Sequence, residues 1–82
     1  MIISLYSIYD RVAGVFNAPF AAINDSVAVR MFKTACTSEH SEYFAYAQDL
    51  DLFKLGSLDQ KTGDVQISDK PEFLYRIGVD NE

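Results

Sequence analysis

The sequence has few of the residues from which metal and cofactor sites are usually built. Its 82 residues include one cysteine, one histidine and no tryptophan. A structural zinc site needs several Cys or His ligands, so this composition does not provide one. The four glycines stand apart from one another, and therefore form neither a phosphate-binding loop nor a dinucleotide-binding fingerprint. We expect no metal ligand and no cofactor.

Catalytic groups are equally scarce. Cys36 is the single cysteine, so the chain cannot form an internal disulfide, and the residue fits a buried thiol in a reducing compartment. A nucleophilic Cys36 served by His40 is the alternative, but neither a glycine-rich elbow nor a second acid supports it. Asp49 and Asp51 are two residues apart, a spacing that we interpret as surface acids rather than a catalytic or metal-binding pair. We therefore expect no catalytic residue and no enzymatic activity.

Long apolar runs are also missing. A membrane-spanning helix needs about 18 or more apolar residues, and no stretch approaches that length. The N-terminus lacks a basic region, and Tyr6, Tyr9 and Asp10 interrupt the apolar segment, so it does not read as a signal peptide. We expect no membrane association and a product that stays in the cytoplasm where it is made.

The composition that is present indicates one small globular domain over residues 1–82. The chain is 49% hydrophobic and 13% aromatic, which argues against disorder despite a net charge of −5. A domain of this size buries only about 60–65% of its unfolded surface, so its core is thin. A pI near 4.6 counts against a general nucleic-acid binder, but it leaves room for a local basic patch.

Residues 24–38 are the one segment long and periodic enough for a helix. Asn24, Asp25 and Ser26 are candidate N-caps, and the spacing predicts a helix over residues 25–37. One predicted face is apolar and the other polar; the apolar residues are Ala28, Met31, Phe32, Ala35 and Cys36, and the polar ones are Arg30, Lys33, Thr34 and Thr37.

The segments around this helix read as strands. Residues 2–9 form a first strand with apolar groups on both faces, Ile3, Leu5 and Tyr9 on one and Ile2, Tyr6 and Ile8 on the other, as in a central strand. A turn containing Gly14 leads into residues 15–18, and Pro19 ends this second strand or places it at an edge.

A second hairpin follows the helix. Residues 50–58 predict a strand with Leu52 and Leu58 on one side and Phe53 and Leu55 on the other, and with a bulge or close approach at Gly56. The turn at residues 59–63 leads into a returning strand over 65–68. Pro71 opens a fifth strand in which Phe73, Tyr75, Ile77 and Val79 share one side.

The segment 38–48 has no clean period and allows a short helical turn. We interpret its Tyr43, Phe44 and Tyr46 as lids over a small core rather than as ligand-stacking platforms.

Together these elements predict an α+β fold. The order is ββαββ, in a four- or five-stranded, mostly antiparallel sheet with one helix packed on one face. One helix covers only one face of strands that are apolar on both. We therefore expect a homodimer or higher homo-oligomer, formed by a pair of sheets or by pairing across a strand edge.

The remaining pattern concerns binding. Arg30 and Lys33 lie on the exposed helix face, and Tyr6, Tyr9 and Phe20 surround the first hairpin. Proteins that hold single-stranded nucleic acid combine basic side chains along the backbone with aromatic rings that stack bases. These five residues are our candidate nucleic-acid-binding set. Scattered basic residues on a solvated face are the simpler interpretation of composition alone, because twelve acids outnumber seven bases.

Four motifs in series carry a family resemblance. They are YxIYDxxAG from Tyr6, PF at Pro19, NDxxAxRxF from Asn24, and DLxLFxLGxxDxxTG from Asp49. In this order and spacing the chain resembles the small nonstructural protein of gokushoviruses, which are single-stranded-DNA bacteriophages of the microvirus family. The segment SEHSEYFAYAQ departs from the family's Asn/Asp-Pro-rich connection.

The resemblance implies a nonenzymatic, DNA-binding phage protein. Its implied role is in phage genome replication, or in the switch to single-stranded genome synthesis and packaging, in the cytoplasm of the bacterial host. The implied partner is single-stranded DNA of the phage genome. The alternative is a protein-interaction module that regulates the phage initiator or a host replication protein without touching DNA.

Overall fold

The computed structural model describes residues 1–77. Its elements are, in chain order, β1 (Ile2–Asp10), β2 (Val15–Phe16), β3 (Phe20–Ala22), α1 (Asp25–Thr37), a 3₁₀ helix (Phe44–Asp49), β4 (Leu50–Asp59) and β5 (Val65–Arg76). This is a small α+β domain with one main helix and a five-stranded sheet, as the sequence predicts. No helix among residues 1–77 is long and apolar enough to cross a membrane.

The sheet is antiparallel at every strand pair that the structure describes. Its order is β2-β1-β4-β5. Strands β2 and β3 pair with the same edge of β1, β2 with its C-terminal end and β3 with residues 4–6. Strand β1 is therefore central, as expected from its two apolar faces. Strand β3 was not predicted: the chain after Pro19 returns to the sheet for three residues before the helix begins.

Helix α1 has the predicted bounds. The Asn24 side chain accepts a hydrogen bond from the backbone N–H of Val27 at 2.9 Å, so Asn24 is the N-cap. Ala28, Phe32 and Cys36 recur every four residues and are buried. The prediction that Met31 lies in the core is wrong: its side chain is 44% exposed, because it falls on the flank of the buried stripe.

The core lies between α1 and one face of the sheet. Tyr6 and Ile8 of β1, Leu50 and Leu52 of β4, and Ala22 of β3 pack against the three buried helix residues. Tyr6 has no exposed surface, and its hydroxyl donates a hydrogen bond to Asp25 at 2.7 Å. This bond connects the centre of the sheet to the first turn of the helix.

A bulge in β4 changes which residues share a face. Leu5 pairs with Gly56 and Tyr6 pairs with Lys54, so Leu55 is an extra residue. The expected irregularity at Gly56 is confirmed, and its backbone closely approaches that of Gln66 in β5. The predicted grouping of Leu52 with Leu58 is wrong, because the bulge shifts the alternation and places Leu58 opposite Ile3, on the face away from the helix.

Strand β5 replaces two predicted strands with one. The segments before and after Pro71 form a single edge strand, and residues 68–71 have no registered partner in β4. Pro71 is tolerated there because no ladder hydrogen bond needs its missing N–H. A second bulge at Leu74 puts Phe73 and Tyr75 on opposite faces, whereas the sequence pattern placed them together. Val79 of the predicted fifth strand lies outside the described residues.

The segment 38–48 contains the short helical turn that its composition allowed. The 3₁₀ helix occupies its second half and contacts α1. Tyr43 packs against the core, as a lid does. Phe44 and Tyr46 are 46% and 58% exposed, so the prediction that they also cover the core is wrong.

Candidate nucleic-acid interface

The face of the sheet opposite α1 is uncovered by the described part of the chain. We call it the open face. Most of its side chains are apolar or aromatic, and all five strands contribute to it, the short β3 through Ala21, which pairs with Leu5. The pairing registers place on it Ile3, Leu5, Tyr9, Phe16, Phe53, Leu58, Val65, Ile67 and Phe73. Large exposed apolar surfaces of this kind usually mark an interaction site.

Four rings on the open face form a continuous aromatic row, consisting of Tyr9, Phe16, Phe53 and Phe73. The Phe16 and Phe53 ring centroids are 5.4 Å apart, and those of Phe53 and Phe73 are 5.8 Å apart. Tyr9 lies 4.6 Å from Phe16 and 6.0 Å from Phe53. The row runs across the strands, from the β2 edge to the β5 edge.

The two ends of the aromatic row are its most accessible rings. Phe16 is 44% exposed and Phe73 is 49% exposed, whereas Phe53 between them is half-buried. Phe53 meets both neighbours at steep interplanar angles of 72° and 80°. Phe53 therefore supports the two outer rings edge to face, and leaves their surfaces available to solvent.

Local structure accounts for the position of each outer ring. In the β1–β2 turn the Asp10 carboxylate accepts hydrogen bonds from the backbone N–H groups of Val12 and Ala13, and Gly14 has φ of 73°. This turn sets the register that pairs Phe16 with Tyr9. At the other edge the Leu74 bulge turns Phe73 towards the open face beside Phe53.

Two arginines flank the row around a buried acid. Asp51 is 3% exposed and accepts two hydrogen bonds from Arg76, at 2.7 Å from Nε and 3.0 Å from Nη2. Arg11 Nε lies 3.4 Å from the same carboxylate, and another Arg11 nitrogen donates to the carbonyl of Gln48. The expectation that Asp51 is a surface acid is wrong, because both guanidinium groups cover it.

The Arg76 guanidinium connects this cluster to the aromatic row. Its carbon lies 5.7 Å from the Phe73 ring centroid, within range of a cation–π contact. The hydrogen bonds to Asp51 raise the pKa of Arg76, so it stays charged. Two arginines against one aspartate leave the cluster with a net charge of +1, in a protein whose overall charge is −5.

The structure separates the predicted binding residues. Tyr9 lies in the aromatic row on the open face. Tyr6 is buried in the core, where desolvation and the bond to Asp25 raise its pKa to about 12. Phe20 is half-buried, and its ring centroid lies 5.6 Å from that of Tyr6. Neither ring presents a face on which a base can stack while the core stays folded.

The two predicted cations lie on the helix side of the sheet, away from the aromatic row. Arg30 is exposed, and Lys33 is half-buried with its Nζ 5.1 Å from the centroid of the Tyr75 ring. The structure therefore does not bring Tyr9 together with Arg30 and Lys33. The residues that form the aromatic row with Tyr9 or flank it include Phe53, Phe73, Arg11 and Arg76, none of which the sequence pattern singled out as a site. Only the strand register identifies them.

The described residues contain no group of three or more His, Cys, Asp or Glu side chains that could hold a metal ion. Cys36 is buried, and desolvation raises its pKa to about 11. A thiol with this pKa is almost entirely protonated near neutral pH, which makes it a poor nucleophile.

A family model described as Phage ORF5 protein matches residues 3–78. The matched range includes the helix and all the strands described above except Ile2 at the start of β1, and it therefore includes the whole open face. No curated protein and no solved structure is significantly similar to the chain.

Proposed function

Because the chain belongs to the Phage ORF5 protein family, we propose that it is a nonenzymatic phage protein that binds single-stranded DNA on its open face. In this proposal it is the small nonstructural protein of a gokushovirus. It acts in the cytoplasm of the bacterial host, in genome replication or in the switch to single-stranded synthesis and packaging. The DNA it binds is the phage genome.

The observation that carries this proposal is the aromatic row with arginines beside it. Exposed rings on a sheet are the usual platform for unstacked bases, and every base has a face that can stack on them. Phe16 and Phe73 stand at opposite ends of the row, so the face offers room for about two bases. Bases paired inside a duplex cannot reach these rings, which favours single strands.

The charge distribution indicates weak, local binding. Arg11 and Arg76 supply two guanidinium groups around Asp51, beside the row, while the net charge of −5 opposes DNA at long range. Since Asp51 neutralises one of the two guanidinium charges, the cluster can neutralise about one phosphate of a single strand, which gives a slope of about −0.7 in log affinity against log salt. Affinity should then fall about 2.6-fold between 50 and 200 mM salt.

The helix surface that the sequence suggested is less suited to this role. Arg30 and Lys33 lie on the helix side of the sheet, away from the aromatic row, and Lys33 already contacts the Tyr75 ring. Phosphate contacts alone can position a DNA strand, but two positive charges without stacked bases add little affinity. We therefore assign the DNA to the open face.

Fluorescence anisotropy with a labelled oligothymidylate at 50 mM salt tests the proposal. Removing one stacking ring costs about 1–3 kcal/mol, so Phe16→Ala and Phe73→Ala should each weaken binding by about five- to 150-fold. Phe44→Ala is the matched control, because this phenylalanine is 46% exposed but lies on the 3₁₀ helix. Equal losses in all three variants, or no binding by the wild type, would overturn the proposal.

A second comparison separates the two candidate surfaces. The double variant Arg30→Ala/Lys33→Ala should bind the oligothymidylate within about twofold of the wild type. A loss as large as that of Phe73→Ala would return the site to the helix. Wild type that binds no DNA even at 50 mM salt would favour the protein-interaction alternative.

The open face also accounts for the homodimer expected from the sequence. Both sheet edges are poorly suited to pairing: β5 carries Lys70, Pro71 and the bulge at Leu74, and the other edge consists of short strands interrupted by Pro19. A second copy would therefore pack face to face over the aromatic row, and would compete with DNA for it.

Sedimentation with and without oligothymidylate tests this competition. Without DNA we expect a species of twice 9.2 kDa at micromolar concentration, which dissociates when the oligonucleotide is added. A dimer that persists with DNA bound would place the interface elsewhere. A strict monomer at high concentration would remove the dimer and leave the open face to DNA alone.

A further inference from the structure

An apolar groove lies on the helix side of the sheet, between α1 and the segment that joins β2 to β3. Its volume is about 250 Å³. Apart from one tyrosine hydroxyl its lining side chains are apolar, and they are Ile8, Ala18, Phe20, Met31, Phe32, Ala35 and Tyr43. The groove faces away from the open face, so the proposed DNA site does not use it.

The rim of the groove suits an apolar side chain. Met31 lies in α1 at the edge of the groove and is 44% exposed, although the next residue, Phe32, is buried. Methionine is flexible and polarisable, and it is common at surfaces that adapt to bound side chains. The floor is formed by buried Ile8 and Phe32, which gives the groove a fixed base.

An acidic groove adjoins the apolar one, with Tyr43 as their common wall. It has a volume of about 240 Å³ and is lined by Asp10, Asn17, Glu42, Tyr43, Tyr46 and Leu50. Among residues 1–77, no ion pair is formed by Asp10 or Glu42. The exposed Tyr46 ring can bind a cation through a cation–π contact.

We propose that the two grooves together bind a segment of a partner protein that carries an apolar side chain next to a lysine or arginine. The apolar groove takes the first side chain, and the acidic groove takes the cation beside Glu42 and Tyr46. Charge complementarity selects this occupant, because an acidic groove repels nucleic acid and acidic peptides. This site is independent of the proposed DNA site, since the two lie on opposite sides of the sheet.

NMR of methyl-labelled methionine tests the site directly, because the chain has two methionines. The probe is a blocked tetrapeptide containing Lys-Leu, with the Glu-Leu tetrapeptide as its matched control. We expect the Met31 methyl signal to shift at millimolar peptide and the Met1 signal to stay. The Glu-Leu peptide should bind at least about twofold more weakly, because one exposed ion pair is replaced by repulsion.

Two variants separate the contributions of the grooves. Ala18→Phe should fill the apolar groove and abolish the Met31 shift, while Ala13→Phe places the same ring on the exposed β1–β2 turn and should not. Glu42 is exposed, so Glu42→Gln should keep the fold. This variant should remove the preference for the Lys-Leu peptide over the Glu-Leu peptide.

Three results would overturn the proposal. The absence of any Met31 shift with the Lys-Leu peptide would show that the apolar groove does not take this side chain. Equal binding of both peptides, unchanged in Glu42→Gln, would remove the selection by charge. A Met31 signal that moves with protein concentration alone would show that a second copy of the chain occupies the groove.

Discussion

A close backbone approach between β4 and β5 predicts a large loss of stability from a single methyl group. Gly56 follows the β4 bulge, where β4 passes the backbone of β5. A Cβ added to Gly56 would overlap the carbonyl oxygen of Gln66 and lie 3.0 Å from the Cα of Ile67. Both obstacles are backbone atoms, so no side-chain rotation relieves the contact, and Gly56→Ala must push the two strands apart.

The expected cost follows from this geometry. Overpacking a well-packed site costs about 1–3 kcal/mol, and an overlap with backbone belongs at the upper end, at about 3 kcal/mol. A domain of this length is stable by about 4–12 kcal/mol. Gly56→Ala should therefore remove a quarter or more of the free energy of unfolding, and lower the Tm by about 12–24 °C.

Urea denaturation followed by circular dichroism measures this loss, and two other glycines provide controls. Gly14 and Gly63 have φ of 73° and 81°, with no atom within 4 Å of an added Cβ. Alanine at either position costs only the left-handed backbone strain, about 1–2 kcal/mol. If Gly56→Ala is no less stable than Gly14→Ala and Gly63→Ala, then β4 and β5 do not approach as described and the reasoning fails.

Three further predictions concern buried polar groups. Tyr6→Phe should lower the free energy of unfolding by about 1 kcal/mol, because the hydrogen bond to Asp25 is lost. Fluorescence anisotropy should show an unchanged affinity for oligothymidylate. A loss of DNA-binding free energy larger than the loss of stability would place Tyr6 in the binding site. Folding raises the pKa of Tyr6 from 10.0 to about 12, so the neutral hydroxyl stabilises the fold below pH 10. This contribution to the free energy of unfolding is lost between pH 10 and about 12, and urea denaturation across that range should show the loss. Cys36 should react slowly with a thiol reagent at pH 8 and rapidly in denaturing urea, because burial raises its pKa to about 11; rapid reaction of the folded protein would mean that the helix does not cover it.

Local signals in the sequence were enough to predict the elements that depend on neighbouring residues. The three candidate caps at residues 24–26, of which the structure uses Asn24, and the four-residue spacing of Ala28, Phe32 and Cys36 give the helix its bounds. The turns at Gly14 and Gly63 both have the positive φ that the pattern indicated. Each of these features is decided within one turn of helix or one hairpin, where the sequence separation is short.

The candidate site depended on contacts between distant parts of the chain. Period-two alternation shows which residues of β1 share a face, but both faces are apolar, so it does not show which one the helix covers. The helix covers Tyr6 and leaves Tyr9 open, and this assigns one tyrosine to the core and the other to the aromatic row. A site chosen from aromatic content alone could not separate them.

The two bulges made the largest difference between pattern and structure. Each inserts one residue into a strand, Leu55 in β4 and Leu74 in β5, and so reverses the alternation beyond it. Without the second bulge, Phe73 would share a face with Tyr75 in the core, and the aromatic row would end at Phe53. A bulge is selected by how two strands fit together across the sheet, and only the tertiary structure supplies that fit.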